Sequence, residues 1–257
     1  MVDGCLNKLL EIIHQDGNLL VVNKPAGLVC HPTKTDEFSS LISRARLYLG
    51  SGVVPQLVNR LDRETSGVTV IALDPDTARE LRREWENRLV QKEYLAIVHG
   101  HVSADRGLIS APLGKDTASR VAIKDCVRPD GLPAETEFEV LKRFSANNPV
   151  DPATSPLEAS LLRIRPRTGR KHQIRIHLAH YGHPIVGDKL YGGDEDLYLA
   201  LVENRLGPIE RALLVLPYQA LHASAVSFQA RGRAWSFAAK PEPWFTNFVE
   251  NTPCSKS

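Results

Sequence analysis

The chain has few cysteines, no long apolar run and no cofactor fingerprint, and each shortage removes a class of function. Only four cysteines occur in 257 residues, at Cys5, Cys30, Cys126 and Cys254, and none stands in a C-x-x-C spacing. That scatter supports neither a disulfide framework nor a zinc site and reads as reduced thiols in a cytoplasmic protein. No uninterrupted apolar stretch reaches the roughly eighteen residues a membrane span needs. The first sixteen residues carry Asp3, Lys8, Glu11 and His14, which is wrong for a signal peptide. Neither G-x-G-x-x-G nor a glycine loop ending in Lys-Ser/Thr is present, so nothing announces a dinucleotide or a nucleotide phosphate. Internal repeats and low-complexity blocks are absent as well.

Acidic residues are missing from one segment in particular. Between Ala159 and Gly187 there is none, while Arg163, Arg165, Arg167, Arg170, Lys171 and Arg175 all fall there, with His172, His177, His180 and His183. The overall net charge of +2 says little. A one-sign stretch of this kind is the footprint expected of phosphate contacts, with a solvated basic face as the plain alternative. A metal reading of the histidines fails on spacing, since His172 and His177 are five apart on a helix and have no carboxylates near them in the sequence.

What is present alternates strands with helices. Leu19 to Asn23 reads as a strand stopped by Lys24-Pro25-Ala26-Gly27. Ser39 to Leu49 is a short helix closed by Gly50. Asp74-Pro75 reads as a cap and first turn, with Ala78, Leu81, Trp85 and Leu89 recurring at helical spacing behind it. Lys92 to Val98 and Thr136 to Leu141 are strands, Ser145 to Pro156 a surface loop, and Leu161 to Arg165 a half-buried strand with its arginines on the open face. Lys171 to Tyr181 is a helix ended by Gly182, and Ala220 to Phe228 and Ala234 to Ala239 are further strands. The expected fold is α+β, a single domain over residues 1–257 with its core from about 19 to 245 and a mixed, mostly antiparallel central sheet flanked by helices and loops.

Chemistry concentrates in Asn59-Arg60-Leu61-Asp62-Arg63-Glu64-Thr65-Ser66-Gly67, which places one carboxylate between two guanidinium groups at the mouth of the β-branched run Val68-Thr69-Val70-Ile71. An R-L-D triplet by itself is most often a surface ion pair. Set on a loop that enters a sheet, it is also where a catalytic group is held rigidly. A carboxylate-based glycoside hydrolase would need a second placed acid, and Glu64 is the only close one.

Read as R-L-D-x-x-T-S-G before an apolar strand, this segment resembles the signature of the RluA family of RNA pseudouridine synthases. Three other motifs carry the same resemblance in order: Lys24-Pro25-Ala26-Gly27, Lys92-Glu93-Tyr94, and Arg167-Thr168-Gly169-Arg170-Lys171-His172-Gln173-Ile174-Arg175, followed by Gly182-His183-Pro184-Ile185-Val186-Gly187-Asp188. The resemblance implies a pseudouridine synthase catalytic domain that isomerises uridine in ribosomal or transfer RNA. It implies Asp62 as the essential aspartate, Tyr94 as the ring that stacks on the base, and Arg175 as the basic partner of Asp62. Arg60 would fill the gap left by the flipped nucleotide, and Arg167, Arg170 and Lys171 would meet RNA. His172 and Gln173 are expected to support Arg175 through hydrogen bonds, and Lys24 and Lys92 read as plain surface lysines. No metal, organic cofactor, membrane or obligate protein partner is expected, and a monomer is the default. The chain departs from the pattern at Asn59, where many relatives have histidine, and no separate N-terminal RNA-binding domain is expected. The competing expectation is a structured-RNA binding or folding factor without catalysis.

Overall fold

The computed structural model describes residues 9–32, 40–147 and 156–250. Cys5, Cys254 and most of the Ser145–Pro156 loop lie outside them. In chain order the described elements are strands β1 (Glu11–Gln15) and β2 (Leu19–Lys24), helix α1 (Leu41–Leu49), strands β3 (Gln56–Leu57) and β4 (Ser66–Ala72), and helix α2 (Pro75–Glu86). Six strands follow, β5 (Gln91–His99), β6 (Arg106–Ser110), β7 (Leu113–Lys115), β8 (Asp125–Val127), β9 (Glu135–Ala146) and β10 (Leu157–Pro166). Helices α3 (Gln173–His180), α4 (Asp196–Val202) and α5 (Pro208–Leu214), strands β11 (Leu221–Ala230) and β12 (Arg233–Ala238), and helix α6 (Pro243–Glu250) complete the order. The fold is α+β with a mixed, mostly antiparallel sheet, as the sequence pattern predicts. None of the described helices is long and apolar enough to cross a membrane.

The chain divides into two compact units, residues 1–93 with 222–242 and residues 94–221 with 243–257. In the first, β4 is antiparallel to β2 and β3 and parallel to β11, with β1 beside β2 and β12 beside β11. Every residue of β4 is buried, which its Val68-Thr69-Val70-Ile71 run suits. The pleat sends alternate residues to two different cores. Leu19, Val21, Val68 and Val70 pack with Ala78 and Leu81 of α2 and with Phe228 and Phe237, whereas Leu20, Val22 and Ile71 pack with Leu41, Ile42 and Ala45 of α1.

Both helices start where their caps dictate. Asp74 accepts from the N–H groups of Asp76 (3.0 Å) and Thr77 (2.9 Å) with Pro75 in the first turn, and Ser40 accepts from Ser43 N–H at 3.3 Å.

The parallel pairing of β4 with β11 depends on one glycine. His222 and Ala223 lie opposite Ser66 and Gly67, and Gly67 has a φ of 115°. A Cβ there would stand 2.2 Å from the Ala223 carbonyl oxygen and 2.6 Å from its nitrogen. Both contacts are with backbone, so neither side can yield cheaply. Gly67→Ala is expected to destabilise the protein by about 3 kcal/mol or more, read as a lowered urea midpoint. A midpoint equal to wild type would show that this pairing is loose.

In the second unit β5, β10, β9 and β6 form an antiparallel run, and β7 and β8 a separate hairpin. Helix α3 lays Ile174 and Leu178 into a core with Ala96, Val98, Phe138, Leu162 and Ile164. It begins at Gln173, two residues later than the sequence suggests. His172 before it adopts a left-handed conformation (φ 54°), so a turn occupies the positions assigned to the first helical residues.

Candidate active site

Asp62 sits in a turn of the first unit immediately before β4, half-buried, where the Thr65 N–H donates to its backbone carbonyl at 3.2 Å. Its flanking peptides are tied down one by one. The Leu61 carbonyl accepts the Cys30 thiol at 3.4 Å, and the Arg63 carbonyl accepts the Gly27 N–H at 2.9 Å and the Lys24 ammonium at 3.1 Å. Arg63 in turn donates from Nε to the Gly27 carbonyl at 3.1 Å. The Lys24-Pro25-Ala26-Gly27 turn and the Asp62 turn are thus one stitched structure.

Lys24 corrects a sequence expectation. It is fully buried, and its Nζ donates to the carbonyls of Pro25 (2.9 Å), Leu28 (2.8 Å) and Arg63. Burial pushes its pKa down to about 8, against the favourable charges of Cys30, Glu242 and Asp62. Three donors meeting three carbonyls make it a brace for both turns rather than a surface lysine. Asn59, where the pattern favours histidine, bonds along β4, accepting from Val70 N–H at 2.7 Å and donating to the Val68 carbonyl at 3.3 Å.

The far side of the same strand end is held by a histidine that the sequence did not single out. His222 is fully buried; its Nε2 lies 3.0 Å from the Ala239 carbonyl and its Nδ1 2.9 Å from Ser66 Oγ. A carbonyl only accepts, so Nε2 carries the proton and Nδ1 accepts from the serine hydroxyl. Burial lowers the His222 pKa and keeps the ring neutral in this role, against small opposing effects of the Ala239 carbonyl and Glu11.

Tyr94 and Arg175 belong to the second unit. Tyr94 is half-buried on β5 opposite Ile164 of β10, so the pleat puts it on the face that carries Ile164 and not on the face of Arg163 and Arg165. Arg175 is buried on α3 and forks onto Asp188 through Nε (2.7 Å) and a terminal nitrogen (2.9 Å). The N–H groups of Leu190 (2.9 Å) and Tyr191 (3.0 Å) donate to the same carboxylate. Burial pushes the Asp188 carboxyl up, but the charge and hydrogen bonds of Arg175 and the two backbone N–H groups outweigh it and hold it below the usual carboxylate value.

His172 and Gln173 stand at the start of the helix that carries Arg175. His172 Nδ1 lies 2.9 Å from the hydroxyl of Tyr191, whose ring centre is 4.9 Å from the Arg175 guanidinium carbon. Gln173 ties the preceding turn to β9, bonding Thr168 Oγ1, the Arg170 N–H, the Glu135 carbonyl and Thr136 Oγ1.

The basic stretch is a bare run of cations only in the linear sequence. In space β9 sets Glu135, Glu137 and Glu139 beside it: Arg163 meets Glu139 at 2.7 Å, Arg167 meets Glu135 at 3.3 Å and also Glu137, and Lys171 meets Asp125 at 2.8 Å. Arg106 of β6 also reaches Glu139 at 2.7 Å. Arg170 donates to the Pro133 carbonyl at 3.3 Å.

Residues 18–180 match the RNA pseudouridylate synthase family, and the chain belongs to that family. It is 38% identical over 187 residues to the dual-specificity RNA pseudouridine synthase RluA of Escherichia coli K12, covering 72% of this chain and 78% of that protein. An uncharacterized RNA pseudouridine synthase of Aquifex aeolicus is 38% identical over 190 residues, covering 71% of this chain but 56% of the relative, so the match spans little more than half of that protein's length. Among solved structures, human RNA Pseudouridylate Synthase Domain Containing 4 superposes with a TM-score of 0.70 at 27% identity, over 96% of this chain and 94% of that one.

Proposed function

We propose that this protein is an RluA-type pseudouridine synthase that isomerises one or a few uridines in structured ribosomal or transfer RNA. The observation that carries the reading is that the family match, residues 18–180, takes in Asp62, Tyr94 and Arg175 together. Isomerisation breaks the bond from the base nitrogen to the ribose, turns the detached uracil, and rejoins it through a ring carbon, which gives up its proton as the nitrogen gains one. Atoms balance without an external reagent, so the proposed chemistry calls for no metal or organic cofactor.

In this reading Asp62 acts on the sugar or base of a flipped uridine, Tyr94 stacks on the uracil, and Arg175 holds Asp62 ionised and oriented. The brace around the Asp62 turn supports it, because a carboxylate held at its backbone needs little reorganisation when it reacts. Arg175, locked by Asp188, is set up for the same purpose. Taking a base out of its stack costs a few kcal/mol, which Arg60 offsets in part by filling the vacated space.

The test is a comparison of total RNA from cells that carry or lack the gene, with pseudouridines mapped by carbodiimide labelling. One or a few sites should vanish with the gene and return with it. Identical maps would remove the reading.

A further inference from the structure

Two arginines and a histidine beside the Asp62 turn, Arg60, Arg46 and His31, have no carboxylate partner among the described residues, unlike Arg163 and Arg167 of the second unit. The backbone brings them to one place. The Leu61 carbonyl, next to Arg60, accepts the Cys30 thiol, and the Cys30 carbonyl accepts the Ile42 N–H at 3.2 Å in the first turn of α1. His31 follows Cys30, and Arg46 lies one helical turn beyond Ile42. The three side chains belong to exposed residues. Among the described residues, none of the three side chains makes a hydrogen bond or ion pair.

Their proximity has an electrostatic mark. Burial, then the charges of Arg60 and Arg46, hold the His31 pKa below its ordinary value. Two guanidinium charges with no counter-ion among the described residues repel one another and hold the histidine back from protonation until an anion arrives. The second unit shows the alternative arrangement, in which Arg163 and Arg167 already hold glutamates that a phosphate would have to displace.

We propose that His31 and Arg46 form a phosphate-binding site for the RNA backbone, gripping the phosphodiester next to the nucleotide whose place Arg60 takes. A guanidinium fork and an imidazolium both match phosphate oxygens, and a grip here fixes the strand on the side of the turn that carries Asp62. The inference rests on the RNA reading above.

The experiment measures binding of a fluorescein-labelled, unmodified transfer RNA transcript and, in parallel, of a large-subunit ribosomal RNA fragment, between about 50 and 200 mM salt. Wild type is compared with Arg46→Gln, with His31→Gln and with the control Arg79→Gln, whose arginine pairs with Asp76 on α2. Arg46→Gln should weaken binding about fivefold and lower the slope of log affinity against log salt by about 0.7 to 0.9. His31→Gln should weaken it more near pH 6 than near pH 8, since histidine meets phosphate as the cation. Thermal midpoints equal to wild type exclude misfolding as the cause. Affinities and slopes of both variants equal to the control would overturn the site, whereas a wild type that binds neither RNA would overturn the functional reading itself, and the site with it.

Discussion

Asp62→Asn is expected to reduce pseudouridine formation by at least about a thousandfold while leaving the protein folded and able to bind RNA. The substitution keeps the shape of the side chain and removes its ionised form. The turn that carries it is anchored through backbone carbonyls: Leu61 to Cys30, and Arg63 to Gly27 and Lys24. Those bonds are made by the neighbouring backbone and survive the substitution, and a thermal midpoint within a few degrees of wild type would show that the lost rate is chemical. Single-turnover assays on the RNA identified by mapping give the rate, and the same labelled RNA gives the affinity. A variant that forms pseudouridine within tenfold of wild type would remove Asp62 from its role. One that fully restores cellular phenotypes without forming pseudouridine would favour the RNA-folding alternative.

The parts of the fold that were legible in the sequence are those whose cause is local. Asp74-Pro75 and Gly50 carry their capping signals within a few residues, and β4 announces itself by its β-branched run. The R-L-D segment around Asp62 was legible for the same reason, being contiguous. What was hidden depends on partners distant in sequence or without a side-chain signature. Lys24 is buried on three backbone carbonyls, which no residue pattern records. The basic stretch lost its one-sign character because antiparallel pairing of β9 with β10 places Glu139 opposite Arg163. Linear charge counting cannot see a neighbour strand. His222 and Ser66 are 156 positions apart and meet only through the parallel pairing of β4 and β11. The seven-residue helices α4 and α5 are too short for periodicity to mark them.

Asp188 is the residue whose removal from the second unit should matter most. Its carboxylate is fully enclosed and accepts two bonds from Arg175 and two from backbone N–H groups. In Asp188→Asn one oxygen becomes an amide that must point a donor at a guanidinium, which can only donate. The buried arginine loses its forked counter-charge, a change that costs about 3–5 kcal/mol in comparable settings. Because the folded-state pKa of Asp188 is depressed below its ordinary 3.8, the wild-type contribution is complete at neutral pH and fades as pH falls below about 4. The deficit of the variant should therefore be largest near neutrality and shrink in acid, measured as urea midpoints across that range. If Arg175 must also be oriented for Asp62 to act, the single-turnover rate will stay low in the cold, where the variant is folded; a rate that recovers fully there would confine Asp188 to holding the fold. A neutral-pH stability within about 1 kcal/mol of wild type would show that the pair contributes little net, as some buried ion pairs do.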